Sequence, residues 1–133
     1  MQGTRGAGRD IRMSQVTVTL WGKTKTLSVA YDYYDEPIPS YMTEAIDAML
    51  REWDVTDNAL IEVKKYCQDR DSKHANIDDI YCFLEPTTLA ALDEPDERSV
   101  LLICDCPFDP EDGVAIHFVN EKFVGVGPQC KYL

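Results

Sequence analysis

Apolar and polar side chains alternate from residue 16 to residue 31. Val16, Val18 and Leu20 share one parity, and Thr17, Thr19 and Trp21 the other. After Gly22-Lys23 the alternation resumes through Leu27, Val29 and Tyr31. A period of two, in a stretch rich in β-branched and aromatic residues, predicts a β-hairpin over 16–31. Residues 32–39, DYYDEPIP, break the pattern with two prolines and three acids, as a surface connection does.

From residue 40 the period changes. Ser40 is placed to cap a helix, and Met42, Ile46, Met49, Leu50 and Trp53 form one apolar stripe. Asp54-Val55-Thr56 separates a second helix. Thr56 is its candidate N-cap, and Asp57 sits in the first turn, where the helix dipole favours an acid. Leu60, Val63 and Cys67 line its inner face, with Ile61 beside them, and the segment QDRDSKHAN then runs polar throughout.

Alternation returns at residue 80. Ile80, Cys82 and Leu84 predict a strand, Pro86 interrupts, and TTLAAL at 87–92 is a candidate for a further short strand beyond the four counted below. DEPDER at 93–98 reads as a charged turn. SVLLICDC at 99–106 is a nearly unbroken apolar run, which places it centrally in the sheet. Val114, Ile116 and Phe118 alternate with Ala115, His117 and Val119. Asn120-Glu121 marks a two-residue turn, Phe123, Val124 and Val126 form a last strand, and Gly125, Gly127 and Pro128 end it. The predicted order is ββ-αα-ββββ, an α+β domain whose two helices cover one face of a mostly antiparallel sheet.

Composition narrows the class. The chain of 133 residues carries a formal charge of −11, which disfavours nucleic acid and anionic membrane surfaces as partners. No apolar run approaches the ~20 residues of a membrane span. Residues 1–12 are rich in Gly and Arg, lack the apolar stretch of a secretory signal, and are expected to be a disordered lead to one domain over 13–133, with Met13 a candidate start. That lead holds Arg5, Arg9 and Arg12 against Asp10, so the remainder is more acidic than the whole. Five cysteines, Cys67, Cys82, Cys104, Cys106 and Cys130, make an odd set that suits reduced thiols in the cytoplasm.

Few residues offer chemistry. Cys104 and Cys106 lie two apart on a strand and point to one face. Structural zinc asks for four ligands, usually from Cys-x-x-Cys pairs, so these two read as small packed side chains. Asp109, Glu111, Asp112 and Gly113 have the composition of a turn between strands, where an EF-hand would need flanking helices. His117 is alone on its strand, and His74 lies in the polar segment. No phosphate loop, nucleophile elbow or zinc-protease motif occurs. Neither a metal nor another cofactor is expected.

One stretch carries a resemblance. CPFDPEDGVAIHFVNEKFVGVG, within 98–127, resembles the C-terminal signature of a family of small bacterial domains of unknown function, with a Cys-x-aromatic-Asp-x-Glu-His-Gly motif followed by a strand, an Asn-Gly turn and a final strand. Cys106, Phe108, Asp109, Glu111 and Gly113 match it. Asp112 stands at the His position, and Asn120-Glu121 replaces Asn-Gly. Some members of that family are similar to proteins near bacterial toxin–immunity loci, so the resemblance implies an immunity-type role.

Together these readings favour a small acidic binding protein without catalysis, whose partner is a protein with a basic surface. Its expected contacts are Asp32, Tyr33, Tyr34, Asp35 and Glu36 in one acidic loop and Asp93, Glu94, Asp96 and Glu97 in another, the tyrosines acting as anchors. Both loops also suit a purely solubilising role. The alternative is an enzyme or small-ligand binder with a pocket between helices and sheet, signalled by convergence of Cys106, Glu111 and His117. A subunit that pairs through an exposed sheet edge is a third class.

Overall fold

The computed structural model describes residues 15–71, 73 and 76–133. The predicted lead over 1–12 and His74 lie outside the described residues. Strands β1 (Gln15–Leu20) and β2 (Lys23–Tyr31) form the expected hairpin. Helices α1 (Ser40–Arg51) and α2 (Val55–Arg70) follow, then β3 (Glu85–Ala91), β4 (Ser99–Asp105), β5 (Val114–Val119) and β6 (Lys122–Pro128). The six strands lie in sequence order in one sheet, so each neighbour in the chain is a neighbour in space. Every pair is antiparallel except β2 and β3, which run parallel because the two helices carry the chain back between them.

Both helices pack on one face. Leu20, Leu27, Leu89, Leu102, Ile116 and Phe118 from the sheet meet Met42, Ile46, Met49, Val63 and Cys67 from the helices in one buried cluster. The helix layer is also pinned by hydrogen bonds. The indole of Trp21 donates to the Thr56 carbonyl at 2.9 Å, and that of Trp53 donates to the Thr19 carbonyl at 2.9 Å. The opposite face is exposed along Thr17, Thr19, Thr24 and Thr26 but closed over the middle strands, where Ala90, Leu101 and Ala115 are buried beneath Leu92, Ile103 and Tyr132. This explains the unbroken apolar run of β4. Gly125 and Gly127 make room for the covering ring, since a Cβ at Gly125 would stand 3.1 Å from the Tyr132 hydroxyl.

Three local expectations are corrected. The strand predicted from Ile80, Cys82 and Leu84 is a 3-10 turn at Ile80–Cys82. The Asp79 carboxylate accepts from the Tyr81 N–H at 3.0 Å, and the Phe83 and Leu84 N–H groups both return to the Ile80 carbonyl. Burial accordingly falls on Ile80, Phe83 and Leu84 while Cys82 is exposed, so β3 begins only at Glu85 and carries Pro86 beside a bulge. Ser40 does not cap α1: the Pro39 carbonyl receives the first helical N–H groups, from Met42 and Thr43. Thr56 does not cap α2 either. It is buried inside the first turn, its hydroxyl donating to the Trp53 carbonyl at 2.8 Å.

Candidate functional site

Parallel pairing of β2 and β3 has a direct consequence for the acidic loops. Both strands end at the same edge of the sheet, so 32–39 and 93–98 leave the fold side by side. The Asp32 N–H donates to the Ala91 carbonyl at 2.9 Å, and the Tyr41 hydroxyl of α1 donates to the Asp93 carboxylate. That bond, reinforced by desolvation and by neighbouring acidic groups, pushes the Tyr41 phenol up to about 12. The β5–β6 turn reaches the same end. Asn120 exchanges hydrogen bonds with the Arg98 backbone, at 2.8 and 3.0 Å, and Glu121 holds the Arg98 guanidinium at 2.6 and 3.0 Å. Between loop and helix lies a hollow of about 220 Å³, walled by Tyr41, Glu44, Asp96, Glu97 and Arg98.

The structure thus sets Asp32 beside the end of β3 and Asp93 beside α1, so both acidic loops leave the fold from one end of the sheet. It separates the tyrosine pair: Tyr33 packs against the core, and Tyr34 is 98% exposed. Tyr41, Glu44, Arg98 and Glu121 were missed by sequence reasoning. Tyr41 closely follows the first loop and Arg98 ends the second, but nothing in the local pattern tells that the start of α1 meets the second loop or that the last hairpin turns beside it.

The alternative trio is not assembled. Cys106 lies on the helix side in the main core, His117 is on the other face of the sheet, and Glu111 is exposed in the loop between β4 and β5. His117 Nε2 stands 2.7 Å from the buried Ser99 hydroxyl, and its ring lies 5.1 Å from that of Tyr132. Burial lowers its pKa from the ordinary histidine value, against the pull of Glu97 and Glu94. The thiols of Cys67, Cys104 and Cys106 are buried in the core, and desolvation raises all three, Cys67 to about 12. Among the described residues no group of three or more His, Cys, Asp or Glu is arranged to hold a metal ion.

At the opposite end of the sheet from the acidic loops, the 3-10 turn and the loop after β4 enclose a cleft of about 440 Å³. Phe83, Leu84, Pro107 and Pro110 supply apolar wall and Tyr81 an aromatic one. Cys82 and Cys106 contribute thiols, and Glu85 and Asp105 carboxylates. The loop itself is tightly built. The Gly113 N–H donates to the Asp109 carbonyl at 2.8 Å, and the Asp112 carboxylate accepts from the Cys130 N–H at 2.9 Å. Asp112, at the motif's histidine position, therefore ties the loop to the C-terminal turn.

The family model described as Domain of unknown function (DUF6985) matches residues 7–133, a span that includes this loop and every strand and helix above. The chain belongs to this family. No curated protein and no solved structure matches it. Membership in DUF6985 brings no assigned chemistry, so function has to be argued from the two ends of the sheet. No helix among the described residues is long and apolar enough to cross a membrane.

Proposed function

We propose that this chain is a non-catalytic binding protein whose acidic end receives a partner with a basic surface. The observation that supports this reading is the convergence of the two acidic loops, which share the end where the parallel strands β2 and β3 finish. Carboxylates from both loops then act on an approaching charge as one field, which raises the encounter rate. Among the described residues Glu44 and Glu121 are engaged by Arg51 and Arg98 while the loop acids make no ion pair, so those acids carry the unbalanced charge. Tyr34, exposed beside them, is the anchor able to bury its ring against a partner. In its finer form the proposal is a bacterial, cytoplasmic immunity-type inhibitor that blocks a basic active-site cleft of a toxin.

The test begins with capture of a partner from the native organism and measurement of association and dissociation rates at several ionic strengths. The proposal requires an on-rate that falls with salt and with neutralisation of the loop acids. A partner whose on-rate responds to neither would remove the acidic end from the account. The cleft at the other end favours a second reading, binding of a small ligand, and its chemistry is specific enough to pursue separately.

A further inference from the structure

We infer that the cleft between the 3-10 turn and the β4–β5 loop binds a small organic cation, a primary amine carried on an aromatic or aliphatic body. Its volume, about 440 Å³, falls within the range of small-molecule sites, roughly 300–1,000 Å³. Its walls are mainly apolar, and the charged side chains among them, Glu85 and Asp105, are both acids.

The placement of those two acids carries the inference. Glu85 and Asp105 are direct cross-strand partners on β3 and β4, an arrangement that sets like charges opposite one another and is unfavourable unless a cation intervenes. For Glu85 the protein supplies that cation. The Lys25 ammonium bonds its carboxylate at 2.8 Å while standing 4.7 Å from the centre of the Tyr81 ring. The wall of the cleft therefore already shows how it holds an ammonium group, between a carboxylate and an aromatic ring. Asp105 has no equivalent. It is exposed, and its side chain makes no hydrogen bond or ion pair among the described residues. A ligand whose amine reaches Asp105 completes the charge balance, and its body then lies against Pro107, Pro110 and the exposed surface of the turn. Neutral molecules gain only the second contact, and anions meet the uncompensated Asp105 carboxylate.

The site is independent of the acidic end, so either can fail alone. The probe is 2-phenylethylamine, titrated into the full chain and followed by amide chemical shifts. Its neutral and anionic counterparts, 2-phenylethanol and phenylacetate, are run in parallel. Saturable shifts confined to residues 81–85 and 105–110 are expected for the amine. The alcohol should bind about tenfold more weakly, and phenylacetate not at all. Asp105→Asn, which also relieves repulsion with Glu85 and so leaves the fold intact, should weaken the amine by about tenfold without changing the alcohol. Cys82→Trp, at an exposed thiol on the rim, should block all binding by filling the cleft. The inference is overturned if the alcohol or the acid binds as tightly as the amine, or if Asp105→Asn leaves amine affinity unchanged. Shifts that map to residues 32–36 and 93–97, or no saturation at millimolar amine, overturn it equally.

Discussion

Glu121 closes the β5–β6 turn in a left-handed backbone conformation, φ 62°, and with both carboxylate oxygens holds Arg98 across the sheet end. Two opposed effects meet in one residue. A side chain at positive φ costs on the order of 1 kcal/mol relative to glycine. A bidentate, partly buried ion pair returns a similar amount. Glu121→Gly should therefore change stability by less than about 1 kcal/mol, because strain and ion pair are lost together. Glu121→Ala keeps the strain and loses the pair, so it should be the more destabilising of the two in urea denaturation. The reverse order would mean that the backbone is not strained there.

Gly113 shows the steric side of the same loop chemistry. Its φ is 69°, and a Cβ would stand 2.6 Å from the Cys104 carbonyl oxygen. Backbone cannot yield as a flexible side chain can, so Gly113→Ala should cost roughly 2–4 kcal/mol. Gly22 is the control, with φ 86° and nothing within 4 Å of its virtual Cβ. Gly22→Ala should cost only about 1 kcal/mol, the price of the backbone conformation alone. Equal losses in thermal denaturation would show that the Cys104 contact relaxes freely.

These glycines bear on how much of the fold was legible. The hairpin, the two helices and the last three strands follow from periods of two and 3.6, because each turns its larger apolar side chains into the core between helices and sheet, with β4 and Ala115 of β5 buried on the other face too. The 3-10 turn escapes the sequence pattern because Ile80, Cys82 and Leu84 satisfy strand alternation, although Phe83 between them is as apolar as they are. Capping by Asp79 settled the conformation locally. Parallel pairing of β2 with β3 was beyond local pattern, since it depends on where two helices return the chain. The acidic loops could be recognised as loops, but their meeting could not. The cover of Tyr132 over Leu101 and Ala115 was equally hidden, because the last five residues show no period. The cleft was invisible for the same reason: it is built from a misread turn and a loop that touch only in three dimensions.

His117 links the covered face to pH. Burial holds its folded pKa below the unfolded value of about 6.5, so the unfolded chain binds the proton more readily. Stability contributed by neutral His117 is then fully present above that value and declines as pH falls through it. Protonation also meets the Ser99 hydroxyl at 2.7 Å and the Tyr132 ring, with Lys131 opposing the new charge and Glu94 and Glu97 favouring it. The unfolding free energy of the native chain should drop from pH 7 toward pH 5 more steeply than that of His117→Gln, which cannot titrate. Parallel pH profiles for the two proteins would show that this histidine has the same affinity for protons folded and unfolded.

The acidic end makes the kinetic prediction. Asp93, Glu94, Asp96 and Glu97 are exposed, so their joint change to Asn and Gln should leave the fold intact. Asp93→Asn retains an acceptor for the Tyr41 hydroxyl, which protects the contact between this loop and α1. Association with a basic partner should slow and its salt dependence flatten, because exposed charges act over a screening length of ~8 Å at physiological ionic strength. Neutralising Asp32, Asp35 and Glu36 should do the same, and both sets together should do more than either alone, since the loops emerge side by side. The tyrosines divide differently. Tyr33 packs against the core, so Tyr33→Ala mixes lost binding with lost stability, whereas Tyr34 is 98% exposed and can be removed without disturbing the fold. Tyr34→Ala should speed dissociation and leave the on-rate unchanged, as loss of a buried interface contact does. If charge removal from both loops alters neither the on-rate nor its salt slope, these acids serve solubility, and the partner docks elsewhere.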